Sequence, residues 1–473
     1  MSIATLHEPR QRLTPRERLE ALCDPGSIEV LRSRVISGRL GARALAGDGV
    51  IGATATVAGR PIACYAEDAS FLGGSLGERH AETIVRLLQL AGRARIPVVG
   101  FVESGGARLQ EGTAALAGYG QIFRETVALT GVVPQISVVS GASAGGGAYS
   151  PALTDLILMT DDAAMFLTGP GIVREALGED VDAATLGGPR VHERNGVCHL
   201  VVADEREAAA KVRQLLSYLP TSAGEPLPST PPAEPELSDP GSVVPLEPRR
   251  AYDIRDALMG IIDAGSLLEL WPRWARNVVT ALGRIEGRPV AIVANQPHHL
   301  GGVLDAAASE KAARFINFCD SFGVPLLAVV DTPGFMPGTR QEQAGVIRHG
   351  ASLVRAFAAA RAPKLTVVVR KSYGGAYITM NSRDLGADLV LAWPQAELGI
   401  MSARAAVGIV HRRELQAADD RDAELTRLAD QYADEHLGAD AAAAGGFVDE
   451  VIEPADTRRR IAAALRGLAR TRL

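Results

Sequence analysis

Two stretches, ISVVSGASAGGGAYSPALTD (136–155) and LTVVVRKSYGGAYITMNS (365–382), decide how this chain is read. Each starts as an apolar strand, meets consecutive glycines and continues as a helix. Such a turn leaves backbone amides without an intrahelical acceptor, and the missing side chains let a carbonyl oxygen come close to them. Two amides aimed at one oxygen form an oxyanion hole, which contributes roughly 3–4 kcal/mol per donor as negative charge develops. Paired glycines ahead of a helix are also a common structural device, so one occurrence carries little weight. Recurrence at the same place in two halves of the chain strengthens the chemical reading. A phosphate cradle fits less well, because none of Lys211, Lys311, Lys364 and Lys371 follows a glycine and no GxGxxG follows a strand.

The two stretches belong to a longer repeat. Gly59-Arg60-Pro61 recurs 228 positions on as Gly287-Arg288-Pro289, and Gly73-Gly74 as Gly301-Gly302. At the same offset Ile96-Pro97 becomes Val324-Pro325, and Ala148-Tyr149 becomes Ala376-Tyr377. An earlier segment is echoed too, LCDPGSIEVL by IIDAGSLLEL, at an offset of 239. Four short matches in one register indicate an internal duplication. Between the halves, Pro220 to Pro248 holds nine of the 27 prolines, which excludes a helix or central strand and predicts an extended, solvated linker. The expected division is therefore 1–220, a linker over 221–249, and 250–473.

Within each half the pattern is that of an α/β domain. A β-rich stretch (ATATVAGRPIACYA; ALGRIEGRPVAIVAN) leads to a helix over 78–94 or 308–322. Buried strands follow, VVGFVE and ISVVS in the first half, LLAVVD and LTVVVR in the second. Short apolar runs alternating with helices predict a parallel sheet covered by helices. At the start, Thr14, Pro15 and Glu17 have the spacing of an N-cap, a first-turn proline and a capping box.

Composition narrows the function. The net charge of −6 argues against nucleic acid or an anionic membrane as partner. Only four of the 49 basic residues are lysines, which reads as a GC-rich coding sequence. Cys23, Cys64, Cys198 and Cys319 lack the spacing of a zinc site or redox pair, so they are expected to be reduced, buried thiols with no metal bound. The leading MSIATLHEPRQRLTPRERLE has no apolar signal segment, and no run approaches the roughly 20 residues of a membrane helix. A cytoplasmic protein is expected. HExxH, GxSxG and a Ser/His/Asp set are all missing. Two oxyanion holes without an evident side-chain base require the base to come from substrate or cofactor.

Four first-half segments, FLGGSLGERHAETIV, ESGGARLQEG, PQISVVSGASAGGGAYSPALTD and FLTGPGIVREALGEDVDAATLGGP, resemble the carboxyltransferase (β) subunits of biotin-dependent acyl-CoA carboxylases. So do ANQPHHLGGVLDAAASEKAARFINFCDSF, VDTPGFMPGTRQEQAGVIRHGA, RKSYGGAYITM and LAWPQAELGIMSARAAVGI in the second half. The resemblance implies two tandem crotonase-like domains, the first on the acyl-CoA side and the second on the biotin side. It implies that carboxybiotin releases CO2, that the freed ureido nitrogen takes the α-proton of a short acyl-CoA, and that the enolate attacks CO2. Gly145 and Gly146 match the acyl-CoA hole, and Gly375 and Ala376 the biotin hole. Strict repeat register instead pairs Gly147 and Ala148 with the latter two. Arg108, Gly374, Tyr149 and Tyr377 are substrate-binding candidates, as is Arg340, with structural roles as the plain alternative. Ile378 stands where the family often has Asp in propionyl-CoA-preferring members, and an apolar residue there leans toward acetyl-CoA or mixed specificity.

Two departures from the family stand out. Ser143 and Gly147 replace the more usual Cys and Ala, and Ser402 replaces Gly, so a looser first turn and crowding at 402 are expected. No lysine follows a methionine, so biotin is expected on a separate biotin carboxylase and carrier (α) subunit. The resemblance further implies a hexamer of β subunits in which the N-half of one faces the C-half of another. Rival readings are the reverse reaction (a biotin-dependent decarboxylase or transcarboxylase), a crotonase-type hydratase using Glu103 and Asp331, and an inactive scaffold subunit.

Overall fold

The structure is a computed structural model describing residues 12–247 and 250–468. The first 11 residues, most of the stretch in which no signal segment is expected, lie outside the described residues, as do Pro248 and Arg249 at the end of the expected linker. The chain divides into two compact units, Met1–Glu225 and Pro226–Leu473. Each is built on one eight-stranded sheet.

In the first unit the strands are β1 (Glu29–Leu31), β2 (Val50–Val57), β3 (Arg60–Glu67), β4 (Val98–Ser104), β5 (Gln135–Ala144), β6 (Leu156–Thr160), β7 (Ala164–Phe166) and β8 (Leu200–Val202). The second repeats them as β9 (Leu268–Leu270), β10 (Val278–Ile285), β11 (Arg288–Asn295), β12 (Leu326–Thr332), β13 (Lys364–Tyr373), β14 (Leu389–Ala392), β15 (Glu397–Gly399) and β16 (Glu450–Val451). The order β1-β2-β3-β4-β5-β6-β8, with β7 beside β5, is matched by β9-β10-β11-β12-β13-β14-β16, with β15 beside β13. Pairing is parallel from β3 and β11 onward, as the buried apolar runs predict. The first three strands of each sheet are antiparallel.

That antiparallel edge has a local cause. Ala58-Gly59 and Glu286-Gly287 both adopt positive φ (50° and 74°; 51° and 76°), the geometry of a two-residue hairpin turn whose twist matches its strands. At Gly287 a side chain is excluded twice over, since a Cβ would also stand 1.9 Å from the Thr230 carbonyl oxygen. Helix Glu78–Ala94 has the expected bounds and buries Ala81, Ile84, Leu87, Leu88 and Ala91 along one face. Its counterpart spans Ala306–Ser321 and starts two residues before the expected 308, because Asp305 caps it by accepting from the Ala308 amide. Thr14 and Glu17 form the expected capping box ahead of helix Pro15–Leu22.

Two expectations are corrected. From Pro226 onward the proline-rich segment belongs to the second unit rather than to a free linker. Its side chains are mostly exposed, yet its backbone is tied down: the Thr230 amide donates to Gly287 O (3.0 Å) and the Glu236 amide to Met259 O (3.0 Å). The 228 register also does not persist. Val98 pairs with Gln135 while Leu326 pairs with Lys364, so one extra residue enters the second unit before β13. From there the offset is 229, which places Ala148 opposite Tyr377 and Tyr149 opposite Ile378. All four cysteines are free, buried thiols. Cys23 and Cys64 lie 3.8 Å apart, a proximity their spacing does not reveal. No helix among the described residues is long and apolar enough to cross a membrane.

Candidate active site

At the end of β5 the chain turns through Gly145 (φ +56°) into helix Gly146–Ala152; at the end of β13 it turns through Gly374 (φ +59°) into a helix ending at Thr379. Both glycines hold a left-handed conformation that an L side chain adopts only with strain. Behind the first turn lies Tyr119, from helix Thr113–Ala128. A Cβ on Gly146 would meet its ring at 2.6 Å, and one on Gly147 would stand 2.9 Å from Ser104 Cβ. The Tyr119 and Ser104 hydroxyls lie 3.1 Å apart, and Ser104 donates onward to Gly74 O (2.9 Å). Burial pushes the Tyr119 phenol up, which keeps it a neutral donor. Gly146 and Gly147 are therefore set by packing as well as by access. Far from loosening the turn, Gly147 fits it against Ser104.

The choice of amides follows from their partners. The Gly145 amide donates to Phe166 O (3.1 Å), and the Ala148 amide folds back to Gly145 O (3.0 Å). Gly146 and Gly147 are the first two residues of the helix, where amides have no acceptor within the helix itself. In the second turn Gly375 and Ala376 likewise stand in the first turn of helix Gly374–Thr379, and the 229 register sets them opposite Gly146 and Gly147. Of the expected pair Gly145 and Gly146, the first has its amide engaged by Phe166 O, and of the pair that strict repeat register offers, Gly147 and Ala148, the second has its amide engaged by Gly145 O.

A cavity of about 660 Å³ opens beside the second turn, lined there by Gly374, Gly375, Tyr377 and Ile378. Its remaining walls are apolar apart from Asp384 and His436, the latter at the end of helix Arg421–His436. The Ala376 side chain is buried. The Tyr377 hydroxyl is buried without a hydrogen-bond partner among the described residues, and burial, aided by the Asp384 carboxylate, pushes its phenol up. In the first unit Ala148 is buried, while Tyr149 is half exposed and meets Phe123 edge to face (6.1 Å).

Arg108 is placed as its structural alternative describes, tied to residues of its own unit. Its guanidinium is buried and donates to Asp48 Oδ1 (2.6 Å), Glu111 Oε1 (2.9 Å) and Ser75 O (2.9 Å), and it lies over the Phe71 ring. Arg340 is exposed on the short helix Thr339–Gln343. Glu103 is held by Arg12 and Arg18, and Asp331 by Arg370 and Tyr252. Both acids are thus fixed in ion pairs within their own units, which removes the basis for a hydratase pair. The Ser143 hydroxyl is buried without a partner among the described residues. Ser402 is exposed with φ −59°, ordinary backbone for any residue, so the expected crowding does not arise. Among the described residues no group of three or more His, Cys, Asp or Glu is arranged to hold a metal.

Sequence reading overlooked the residues that back and wall the site. Tyr119 carries a usable signal, since Ala115, Tyr119, Ile122 and Thr126 recur at helical spacing on one buried face. Phe335, 3.6 Å from where a Gly375 Cβ would stand, follows a glycine in a loop and has no periodic signal.

Comparison with known proteins gives the family. Residues 6–473 match the carboxyl transferase domain family. The chain is 44% identical over 469 residues to the methylmalonyl-CoA carboxyltransferase 12S subunit of Propionibacterium freudenreichii subsp. shermanii, covering 97% of this chain and 89% of that one. It is 45% identical over 475 residues to the propionyl-CoA carboxylase carboxyltransferase subunit of Haloferax mediterranei, covering 98% and 92%. The crystal structure of transcarboxylase 12S, a hexamer with methylmalonyl-CoA bound, superposes with a TM-score of 0.93 at 44% identity, covering 97% of this chain and 89% of that one. With two crotonase-like units, each carrying a glycine turn from a buried strand into a helix, and with this likeness over nearly its whole length, the chain belongs to the carboxyl transferase family.

Proposed function

We propose that this protein is the carboxyltransferase subunit of a biotin-dependent acyl-CoA carboxylase, acting on acetyl-CoA or propionyl-CoA. The observation that carries this reading is the pair of glycine turns. Transfer to the α-carbon creates negative charge on two oxygens, that of the thioester and that of the biotin ureido group, and the chain supplies the opening amides of a helix for each. Gly146 and Gly147 hold the thioester oxygen; Gly375 and Ala376 hold the ureido oxygen. These donors are fixed before reaction, so stabilisation costs little reorganisation at the transition state. Biotin, brought by a separate carrier subunit, supplies the carboxyl group and the base. The residues suit it, because the ureido oxygen is an acceptor and Gly375 lines a cavity of fitting size.

The subunits assemble as a hexamer, with the first unit of one chain facing the second unit of another. Matching apolar residues are exposed on both units: Leu167 and Ile400 (57% and 79%), which follow β7 and β15, and Leu177 and Val410 at the ends of helices Pro170–Leu177 and Ala403–Val410. Helix Pro170–Leu177 buries none of its residues within its own chain. Exposed apolar surface of this kind marks an interaction site. The complex works in the cytoplasm.

The deciding experiment incubates purified protein with malonyl-CoA or methylmalonyl-CoA, with and without free biotin, and follows loss of the carboxylate. Biotin-dependent loss is expected. A complete lack of turnover, persisting after addition of a biotinylated carrier, would point to a longer-chain acyl-CoA or to an inactive scaffold. Ile378 lines the cavity with its side chain half exposed. Ile378→Asp is expected to shift the ratio of kcat/KM for methylmalonyl-CoA over malonyl-CoA at least tenfold toward methylmalonyl-CoA. An unmoved ratio would remove Ile378 from substrate selection.

A further inference from the structure

Two buried hydroxyl side chains stand directly behind the first glycine turn, Ser104 at the end of β4 and Tyr119 from helix Thr113–Ala128. Each backs one of the two glycines that open helix Gly146–Ala152. The Tyr119 ring leaves no space for a Cβ on Gly146 (2.6 Å), and Ser104 Cβ leaves little for one on Gly147 (2.9 Å). Counting protons gives the pair a direction. Ser104 has a single hydroxyl proton, which it gives to Gly74 O (2.9 Å), so across the 3.1 Å between the two hydroxyl oxygens Tyr119 is the donor. The chain runs from Tyr119 through Ser104 to Gly74 O, and the Gly106 amide donates to the same Ser104 oxygen (3.3 Å). The Tyr119 ring is packed further by Phe123, at 5.8 Å between centroids.

The second turn is backed differently. Thr332 stands where Ser104 does, since it pairs with Ser372 as Ser104 pairs with Ser143, and its hydroxyl donates within its own loop to Gly334 O (3.3 Å). Ile347 and Arg348, which the offsets of 228 and 229 set opposite Tyr119, are both exposed. The ring nearest to Gly375 is that of Phe335, which has no hydroxyl and lies 3.6 Å from where a Cβ would stand. The two units share a fold, so that fold does not require the hydroxyl chain behind the first turn.

We propose that Tyr119 is a positioning residue for the thioester oxygen: its bond to Ser104 pins the ring, and ring and Ser104 together hold the Gly146 and Gly147 amides in line. The inference rests on the carboxyl-transfer reading above and adds a residue to its first hole. An oxyanion hole works through donors fixed before charge develops, and a small displacement of them costs rate. That loss falls on kcat rather than on KM, because the interaction matters most in the transition state. A ring held by apolar contacts alone is free to rock about its Cβ, whereas one tied at its hydroxyl end is not.

The test compares the full chain with Tyr119→Phe, Ser104→Ala and the double variant in biotin-dependent decarboxylation of methylmalonyl-CoA, with thermal unfolding followed in parallel. Tyr119→Phe keeps the ring against Gly146 and removes one oxygen; Ser104→Ala keeps the Cβ against Gly147. Each single variant is expected to lose about tenfold in kcat, with KM for methylmalonyl-CoA and for biotin changed by less than about twofold. The double variant should lose no more than the worse single one, because the two hydroxyls act as one chain. A lower unfolding temperature with kcat unchanged would make the pair structural only and overturn the proposal. A loss confined to KM would make it a substrate contact, and losses that multiply in the double variant would break the chain into two independent groups; either result also overturns the proposal. If the unaltered protein shows no biotin-dependent turnover, the carboxyl-transfer reading fails first and this inference falls with it.

Discussion

Replacing Gly375 by proline is expected to lower kcat for biotin-dependent decarboxylation of methylmalonyl-CoA by about 10²- to 10³-fold, the usual effect of losing one oxyanion donor. The substitution removes a single N–H and little else. Proline is tolerated in the first turn of a helix, and the preceding residue, Gly374, lacks the Cβ that is one source of proline's clash with the residue before it. There is also room, because the nearest atoms to a Cβ at 375 are those of Phe335, 3.6 Å away, an ordinary contact. Gly375→Ala keeps the amide and should lose far less activity. A proline variant as active as the alanine one, with thermal unfolding unchanged in both, would remove Gly375 from the hole. The first turn should behave differently: at Gly146 even alanine collides with the Tyr119 ring, so Gly146→Ala is expected to lose both activity and stability.

The largest effect on stability is expected at Lys311. Its side chain is fully buried, and Nζ donates to the carbonyl oxygens of Trp271 (3.0 Å), Trp274 (2.9 Å) and Val278 (2.6 Å), with Ala275 O at 3.4 Å. All but that of Val278, the first residue of β10, belong to the loop joining β9 to β10, where Trp271 and Ala275 both adopt positive φ. The loop folds around the amine. Arg314, one helical turn on, lies over the rings of Trp271 and Trp274 and closes the arrangement from outside. Lys311→Met keeps the apolar stem but leaves buried carbonyls unpaired, and should cost about 3–5 kcal/mol. A denaturant titration reads it as a lower midpoint for the transition of the second unit. A change below about 1 kcal/mol would mean that the loop finds other donors.

These two positions show where sequence reading reaches. The turn around Gly375 is legible because glycine and strand periodicity act locally. A run such as Leu365–Val369 is apolar throughout whatever surrounds it, and consecutive glycines after a strand admit few backbone paths. The duplication is legible for the same reason, since repeated short-range patterns survive divergence. Lys311 carries no such signal: it is one lysine in an amphipathic helix, and only the loop 33 to 40 residues before it gives its amine a purpose.

By itself, then, the amino-acid sequence determined two α/β halves, their parallel cores and the two glycine turns, together with a family resemblance that the comparisons bear out. Tertiary structure alone decided that the Gly145 amide is engaged, because the Phe166 carbonyl that accepts from it arrives from a neighbouring strand. It surrounded Arg108 with Asp48 and Glu111, and it drew the proline-rich segment onto the second unit through backbone hydrogen bonds. It also shifted the repeat by one residue before β13 and walled the cavity with residues reaching as far as Phe447. Backbone preference and hydrophobic period depend on near neighbours in the chain, whereas burial and the choice of hydrogen-bond partner depend on atoms that folding brings from elsewhere.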